Sequence, residues 1–64
     1  MLVNGKNITI DNKLYLQKFL EQEGYIIDRV AVEKNGTIVP KDNFVSEILL
    51  DSDHLEIVNF VGGG

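Results

Sequence analysis

The sequence contains no cysteine and no tryptophan, and it has only one histidine and one proline among 64 residues. Without cysteine the chain can form no disulfide, no thiolate nucleophile and no cysteine-based metal site. The single histidine, His54, has no nucleophile to activate, so we expect a protein that is not an enzyme. Any sulfur chemistry must use a group other than a side-chain thiol.

Positive charge is also scarce. Six basic residues against ten acidic ones give a net charge of −4, and no basic run is available to neutralise a phosphate backbone. No apolar run approaches the ~20 residues of a membrane span, and the first residues do not follow the pattern of a signal peptide. We therefore expect a cytoplasmic protein that binds neither nucleic acid nor membrane.

The chain length predicts one small domain. A hydrophobic content of 44% argues against disorder. A length of 64 residues lies near the lower limit at which a hydrophobic core holds a fold together without disulfides or a structural metal. We expect residues 1–61 to form the domain, residues 62–64 to form a flexible tail, and the free protein to be a monomer.

Two Asn-Gly dipeptides, at residues 4–5 and 35–36, each lie between β-prone segments. Both residue types tolerate positive φ, so each dipeptide predicts a tight hairpin turn. The predicted hairpin arms are residues 1–3 with 8–10 and residues 29–34 with 37–39. Pro40 lacks a backbone donor and should end the second hairpin.

Between the hairpins the apolar period changes from two to about 3.6, which predicts one amphipathic helix. Its buried side is formed by Leu16, Phe19, Leu20 and, in the same row, Glu23. Asn12 is a candidate N-cap and Gly24 a candidate C′ residue. The helix is therefore predicted to begin at Lys13 or Tyr15 and to end at Glu23.

The second half of the chain completes the sheet. We predict a turn or short 3₁₀ segment at residues 41–44, a short edge strand within residues 45–50, and a turn at residues 51–53. The Asp51–His54 stretch is more typical of a solvated turn than of a cation site, so we expect no metal site. The result is an α+β domain with one main helix packed on one face of a mixed sheet. The predicted core is Val3, Ile8, Ile10, Leu16, Phe19, Leu20, Val30, Val32, Ile38, Leu55 and Ile57.

The last strand has two different faces. Alternation places Leu55 and Ile57 on the core side and turns Val58 and Phe60 outward. Two apolar side chains on the outer face just before the chain end are typical of a partner surface. The alternative is that Phe60 wraps over the edge of the sheet.

The strand is followed by Gly62, Gly63 and Gly64. Three glycines can lie extended in a slot too narrow for side chains, which would let the Gly64 carboxylate reach another protein's buried active site. Glycine-rich ends also occur as frayed termini or linkers, and the tail alone does not decide between these readings.

Three blocks of the sequence resemble the ThiS family of sulfur carriers in thiamine biosynthesis. They are Val3-Asn4-Gly5, residues 30–40 (VAVEKNGTIVP) and residues 56–64 (EIVNFVGGG). The resemblance implies a β-grasp (ubiquitin-like) fold. It further implies that a ThiF-type, E1-like enzyme uses ATP to adenylate the Gly64 carboxylate, which then becomes a thiocarboxylate. A sulfur-donating enzyme and a ThiG-type thiazole synthase are the other implied partners. We expect Val58, Phe60 and Val61 to lie at the surface that docks on these partners. We expect the carrier itself to bind no cofactor.

The sequence departs from the family pattern at Tyr15, where a capping Ser or Thr is frequent, and at Glu23, where an apolar residue is common. Two alternatives remain. One is a carrier like the small subunit of molybdopterin synthase, which shares the Gly-Gly end. The other is a ubiquitin-like binding module without terminal chemistry, which should tolerate extension beyond Gly64.

Overall fold

The computed structural model describes residues 1–60, which form one α-helix and two β-sheets. The helix, α1, spans Leu16–Gln22. The strands are β1 (Leu2–Val3), β2 (Lys6–Asn7), β3 (Leu14–Tyr15), β4 (Val30–Lys34), β5 (Thr37–Ile38), β6 (Ile48–Leu49) and β7 (His54–Asn59). Short 3₁₀ helices lie at Ile27–Arg29 and Lys41–Asn43. The predictions for residues 61–64 lie outside the described residues.

The main sheet has the strand order β2-β1-β7-β4-β5. Strand β7 is central, parallel to β1 and antiparallel to β4. One helix packed on a mixed sheet was predicted, and this arrangement is confirmed. Its core consists of Met1, Val3, Leu16, Phe19, Leu20, Val30, Val32, Val39, Phe44, Leu49, Leu55 and Ile57. Within residues 1–60, no helix has the length and apolar character needed to cross a bilayer.

Both Asn-Gly turns are present, and the side chain of each asparagine also forms hydrogen bonds with distant residues. Asn4 has φ 51° and Asn35 has φ 53°. The Asn4 side chain accepts the Ile57 N–H at 2.7 Å and donates to the Ile57 carbonyl at 3.2 Å. The Asn35 side chain accepts the His54 N–H at 2.9 Å and donates to an Asp53 carboxylate oxygen at 2.9 Å. Each turn is therefore fastened to the central strand by a side-chain amide.

The helix ends at Gln22, one residue before the predicted Glu23, with Gly24 as the predicted C′ residue, and it begins differently from the prediction. At its C-terminus Gly24 has φ +84°, and the Tyr25 N–H donates to the Leu20 carbonyl, as in a Schellman motif. The predicted N-cap at Asn12 is wrong, because β3 lies between that residue and the helix. The first helical N–H groups, of Leu16 and Gln17, donate instead to backbone carbonyls of the 44–47 loop.

Three predicted core positions need correction. Ile38 is 66% exposed, because the two-residue turn places it opposite Glu33 and therefore on the outer face. Val39 is buried in its place. Ile8 and Ile10 are only partly buried, since β2 ends at Asn7 and the chain then leaves the sheet. Met1, Phe44 and Leu49 complete the core and were not predicted.

The predicted edge strand within residues 45–50 is present as β6, but it does not join the main sheet. It pairs antiparallel with β3, so that Leu14 lies opposite Leu49 and Tyr15 opposite Ile48. This two-stranded sheet connects the segment before the helix to the segment before β7. Leu49 is fully buried, whereas Leu50 is 51% exposed.

A half-buried ion network joins β4 to the segments on either side of β6. The Lys34 Nζ atom lies 2.7 Å from Glu47 Oε2 and 3.7 Å from Asp53 Oδ2, and the hydrogen bond to Glu47 is the main reason that the Lys34 pKa is raised. Burial raises the Asp53 pKa, but hydrogen bonds from Asn35 and the Leu50 N–H and the charge of Lys34 outweigh it, so the pKa is lowered overall. Asp53 is thus held in its ionised form.

Asp53→Asn is expected to destabilise the domain by about 1–3 kcal/mol at neutral pH, because the hydrogen bonds to a charged acceptor are weakened. A lowered folded-state pKa contributes stability that is present above the ordinary value of 3.8 and is lost as the pH falls through the lower, folded-state value. The difference between wild type and variant should therefore shrink below pH 3.8 in urea unfolding curves. Asp28→Asn, at a carboxylate that is 91% exposed, is the control. An equal difference at all pH values would contradict the assignment.

Candidate functional site

The outer face of the main sheet, opposite the helix, is the candidate site. In β7 the residues Leu55 and Ile57 are buried, while Val58 is 56% exposed. Strand pairing places Ala31 opposite Val58 and Glu33 opposite Glu56. Since β4 and β7 are adjacent, these side chains form two neighbouring rows on the outer face.

A shallow hollow of about 60 Å³ lies on this face. It is lined by Ala31, Val32, Glu33, Ile38, Glu56 and Val58. Its wall is largely apolar, and the two glutamates are its charged members. A surface of this kind can bury apolar side chains of a partner and can also bind a cationic group.

Phe60 continues the outer face toward the chain end. Its side chain is 57% exposed, and its N–H donates to the Arg29 carbonyl at 2.6 Å, which extends the β4–β7 pairing beyond the strand. The predicted outward orientation of Val58 and Phe60 is therefore correct, whereas their role in partner binding stays a prediction. The other predicted site residues, Val61, Gly62, Gly63 and Gly64, lie outside the described residues.

The predicted turn before β7 is confirmed, and its acidic residues have structural partners. Asp51 accepts a hydrogen bond from the Ile10 N–H at 3.1 Å and lies 3.2 Å from the Met1 amine. These two contacts, in that order, lower the Asp51 pKa. The His54 side chain has a different partner, since its Nε2 atom lies 3.2 Å from Glu56 Oε1. In the described part of the chain no group of three or more His, Asp or Glu side chains is placed to hold a metal ion.

Sequence reasoning missed the β4 and β5 contributions to this face. Ala31 and Glu33 alternate with the buried Val30 and Val32, so their outward direction could have been read from the pattern. Ile38 could have been placed by counting across the two-residue turn. The contact between the rows of β4 and β7 depends on strand register, which alternation within a single strand does not provide.

The strand order, the parallel pairing of β1 with β7 and the single helix across the sheet define the β-grasp, or ubiquitin-like, fold. A model of the ThiS family matches residues 1–64. The chain belongs to the ThiS family.

A solved structure agrees with this assignment, and the chain is also similar to proteins with other names. The crystal structure of the thiamine biosynthesis protein ThiS from Geobacter metallireducens matches with a TM-score of 0.79 and 32% identity, over 98% of this chain and 96% of that one. A thiazole synthase from Paramagnetospirillum magneticum is 36% identical over all 64 residues, which span only 20% of its own length. An uncharacterized protein, ycf40, of Porphyra purpurea is 36% identical over 97% of this chain and 87% of that protein.

Proposed function

We propose that this protein is a sulfur carrier of thiamine biosynthesis whose reactive group is the Gly64 carboxylate. The match of the ThiS family model over residues 1–64, which include the three final glycines, is the observation that carries the proposal. The similar Geobacter protein is named as a thiamine biosynthesis protein. The carrier would act as a protein co-substrate of other enzymes.

The proposed chemistry occurs in two steps at the Gly64 carboxylate, the first at one of its oxygen atoms and the second at its carbon atom. A Gly64 carboxylate oxygen attacks the α-phosphorus of ATP on a ThiF-type enzyme and displaces pyrophosphate, which leaves an acyl-adenylate. A sulfur nucleophile then attacks the acyl carbon and displaces AMP, which leaves a thiocarboxylate. The carrier contributes no acid, base or metal to either step, so its role is to bind and to present its end in the correct position.

A ThiG-type thiazole synthase is the proposed acceptor of the sulfur. The thiazole synthase of Paramagnetospirillum magneticum includes a segment similar to this entire chain. Joining two proteins in one polypeptide raises their effective concentration toward each other, which is advantageous when one must deliver a group to the other. This arrangement supports a thiazole synthase as a partner of the separate carrier.

The test is intact-mass analysis of the purified protein after incubation with ATP, a ThiF-type adenylating enzyme and sodium sulfide. The expected product has one terminal oxygen replaced by sulfur, and its formation should require ATP. A reaction without ATP measures any background exchange. An unchanged mass, under conditions in which the enzyme loads its own carrier, would refute the proposed function.

Phe60→Ala is expected to weaken binding to the adenylating enzyme by about 1–2 kcal/mol, roughly tenfold, because a large, exposed aromatic side chain four residues before the reactive carboxylate is a typical interface anchor. Its effect on folding should be small, within about 0.5 kcal/mol, since the side chain is largely exposed. Calorimetric titration measures the affinity and urea unfolding measures the stability. Val45→Ala, at a position 65% exposed on another segment, is the control. Unchanged affinity together with a large loss of stability would place Phe60 in the core.

A further inference from the structure

Two carboxylates face each other across the two strands at the middle of the outer face. Glu33 of β4 lies directly opposite Glu56 of β7, and both residues are exposed on the side of the sheet away from the helix. Side chains directly opposite each other in antiparallel strands have Cβ atoms about 4.5–5.5 Å apart, and like charges in such a pair repel. This pairing therefore costs the free protein stability.

The basic residues of the described chain do not relieve this repulsion. Glu33 takes part in none of the ion pairs within residues 1–60, and Glu56 has only the His54 imidazole at 3.2 Å. Lys34, the nearest lysine in sequence, is engaged on the other side by Glu47 and Asp53. Within residues 1–60, no lysine or arginine therefore pairs with either carboxylate, and the basic side chain beside them is that of His54.

The surroundings of the pair specify the kind of group that would complement it. Ala31 and Val58 form the adjacent row, and Ile38 lies beside Glu33 in β5. The glutamates and these apolar side chains line the same hollow of about 60 Å³. An arginine matches both features, because its aliphatic stem can pack on apolar surface while its planar guanidinium donates to more than one carboxylate oxygen.

We propose that this hollow receives an arginine side chain of the adenylating enzyme, whose guanidinium bridges Glu33 and Glu56. The inference rests on the proposed function for the identity of the partner. Charge complementarity supports it, since the carrier carries a net charge of −4 and concentrates two of its negative charges in this apolar setting. Docking then removes the repulsion that is present in the free carrier.

The test uses Glu33→Gln, Glu56→Gln and the double variant, which keep the side-chain size and remove the charge. Calorimetric titration without ATP, at low and moderate salt, gives the affinity for the adenylating enzyme. The double variant should bind about tenfold more weakly than wild type at low salt, and its affinity should depend less on salt. Its urea midpoint should rise because the repulsion is gone, which also verifies that it is folded.

The matched control is Glu21→Gln combined with Glu23→Gln, which removes the same charge from exposed positions at the end of the helix. Its affinity should stay within about twofold of wild type, because exposed charges far from a contact are screened. If the double variant binds as tightly as this control, or if wild type does not bind at all, the proposed arginine contact is overturned.

Sulfur loading at saturating carrier separates this inference from the proposed function. The double variant should still become a thiocarboxylate, because the carboxylates are not part of the reacting group. Normal loading combined with unchanged affinity would reject the arginine contact alone. Tight, charge-dependent binding without loading of wild type would reject the carrier chemistry and retain the docking contact.

Discussion

Adding one alanine after Gly64 is expected to abolish thiocarboxylate formation while residues 1–60 remain folded. In the extended chain the Gly64 carbonyl is part of a peptide bond, so it has no oxygen free to attack ATP. The new terminal carboxylate would lie one residue farther along, about 3.3–3.6 Å in an extended chain. Catalysis that depends on position is sensitive to displacements of this size. Deleting Gly64 should have the same outcome.

Intact-mass analysis of wild type and both variants after the loading reaction measures this effect. Urea unfolding should give the same midpoint for all three proteins, and the extended variant should still bind the adenylating enzyme through the outer face. Gly63→Val should also reduce loading, because a side chain obstructs a narrow approach to the active site. Efficient loading of the extended variant would rule out the terminal mechanism and favour a binding module without terminal chemistry.

Leu49→Ala is expected to remove about 2–5 kcal/mol from the free energy of unfolding. Leu49 is fully buried, and truncation of a buried leucine costs the lost transfer energy plus the cost of the cavity. A domain of this size has a total stability of roughly 3–10 kcal/mol. The change therefore removes a large part of the stability, and the urea midpoint of the variant should lie well below that of wild type.

Leu50→Ala is the matched control, because it makes the same chemical change one residue later at a position that is 51% exposed. Its cost should be less than about 1 kcal/mol. Urea unfolding of both variants, followed by circular dichroism, gives the comparison. Equal destabilisation by the two changes would contradict the assignment of Leu49 to the core and of Leu50 to the surface.

Local signals in the sequence were sufficient for much of the fold. The Asn-Gly turns at 4–5 and 35–36, the amphipathic helix and the alternating last strand each have a pattern contained within a few residues. Gly24 was predictable as the residue after the helix because only glycine adopts its positive φ without strain. These elements need no information about distant partners.

The remaining elements depend on contacts between distant segments. Strands β3 and β6 have two residues each, too few for a period to be recognised, and each exists because of the other. Phe44 lies after a 3₁₀ turn and is buried by the fold as a whole. Asn12 has the right residue type for an N-cap, but carbonyl groups from the 44–47 loop take that role.

The residues of the candidate site also fall into two groups: those that one strand predicts and those that depend on the pairing of two strands. Val58 and Phe60 were predicted from alternation within one strand, and the structure places both side chains on the outer face. The opposition of Glu33 and Glu56 was not predicted, because it follows from the register of two strands that are distant in the sequence. Pairing across strands is the information that one sequence did not supply.

The central position of β7 has a consequence for how the chain folds during synthesis. Residues 54–59 are the last strand to be made among the described residues, yet β1 and β4 are joined only through them. A growing chain therefore carries two separate hairpins and a helix with no sheet to pack on, and isolated hairpins are marginal in water. The hydrogen bonds between Asn4 and Ile57 join residues that are 53 apart in the sequence. Contacts of such long range form slowly. The ribosome must complete β7 before a partner enzyme can meet a folded carrier.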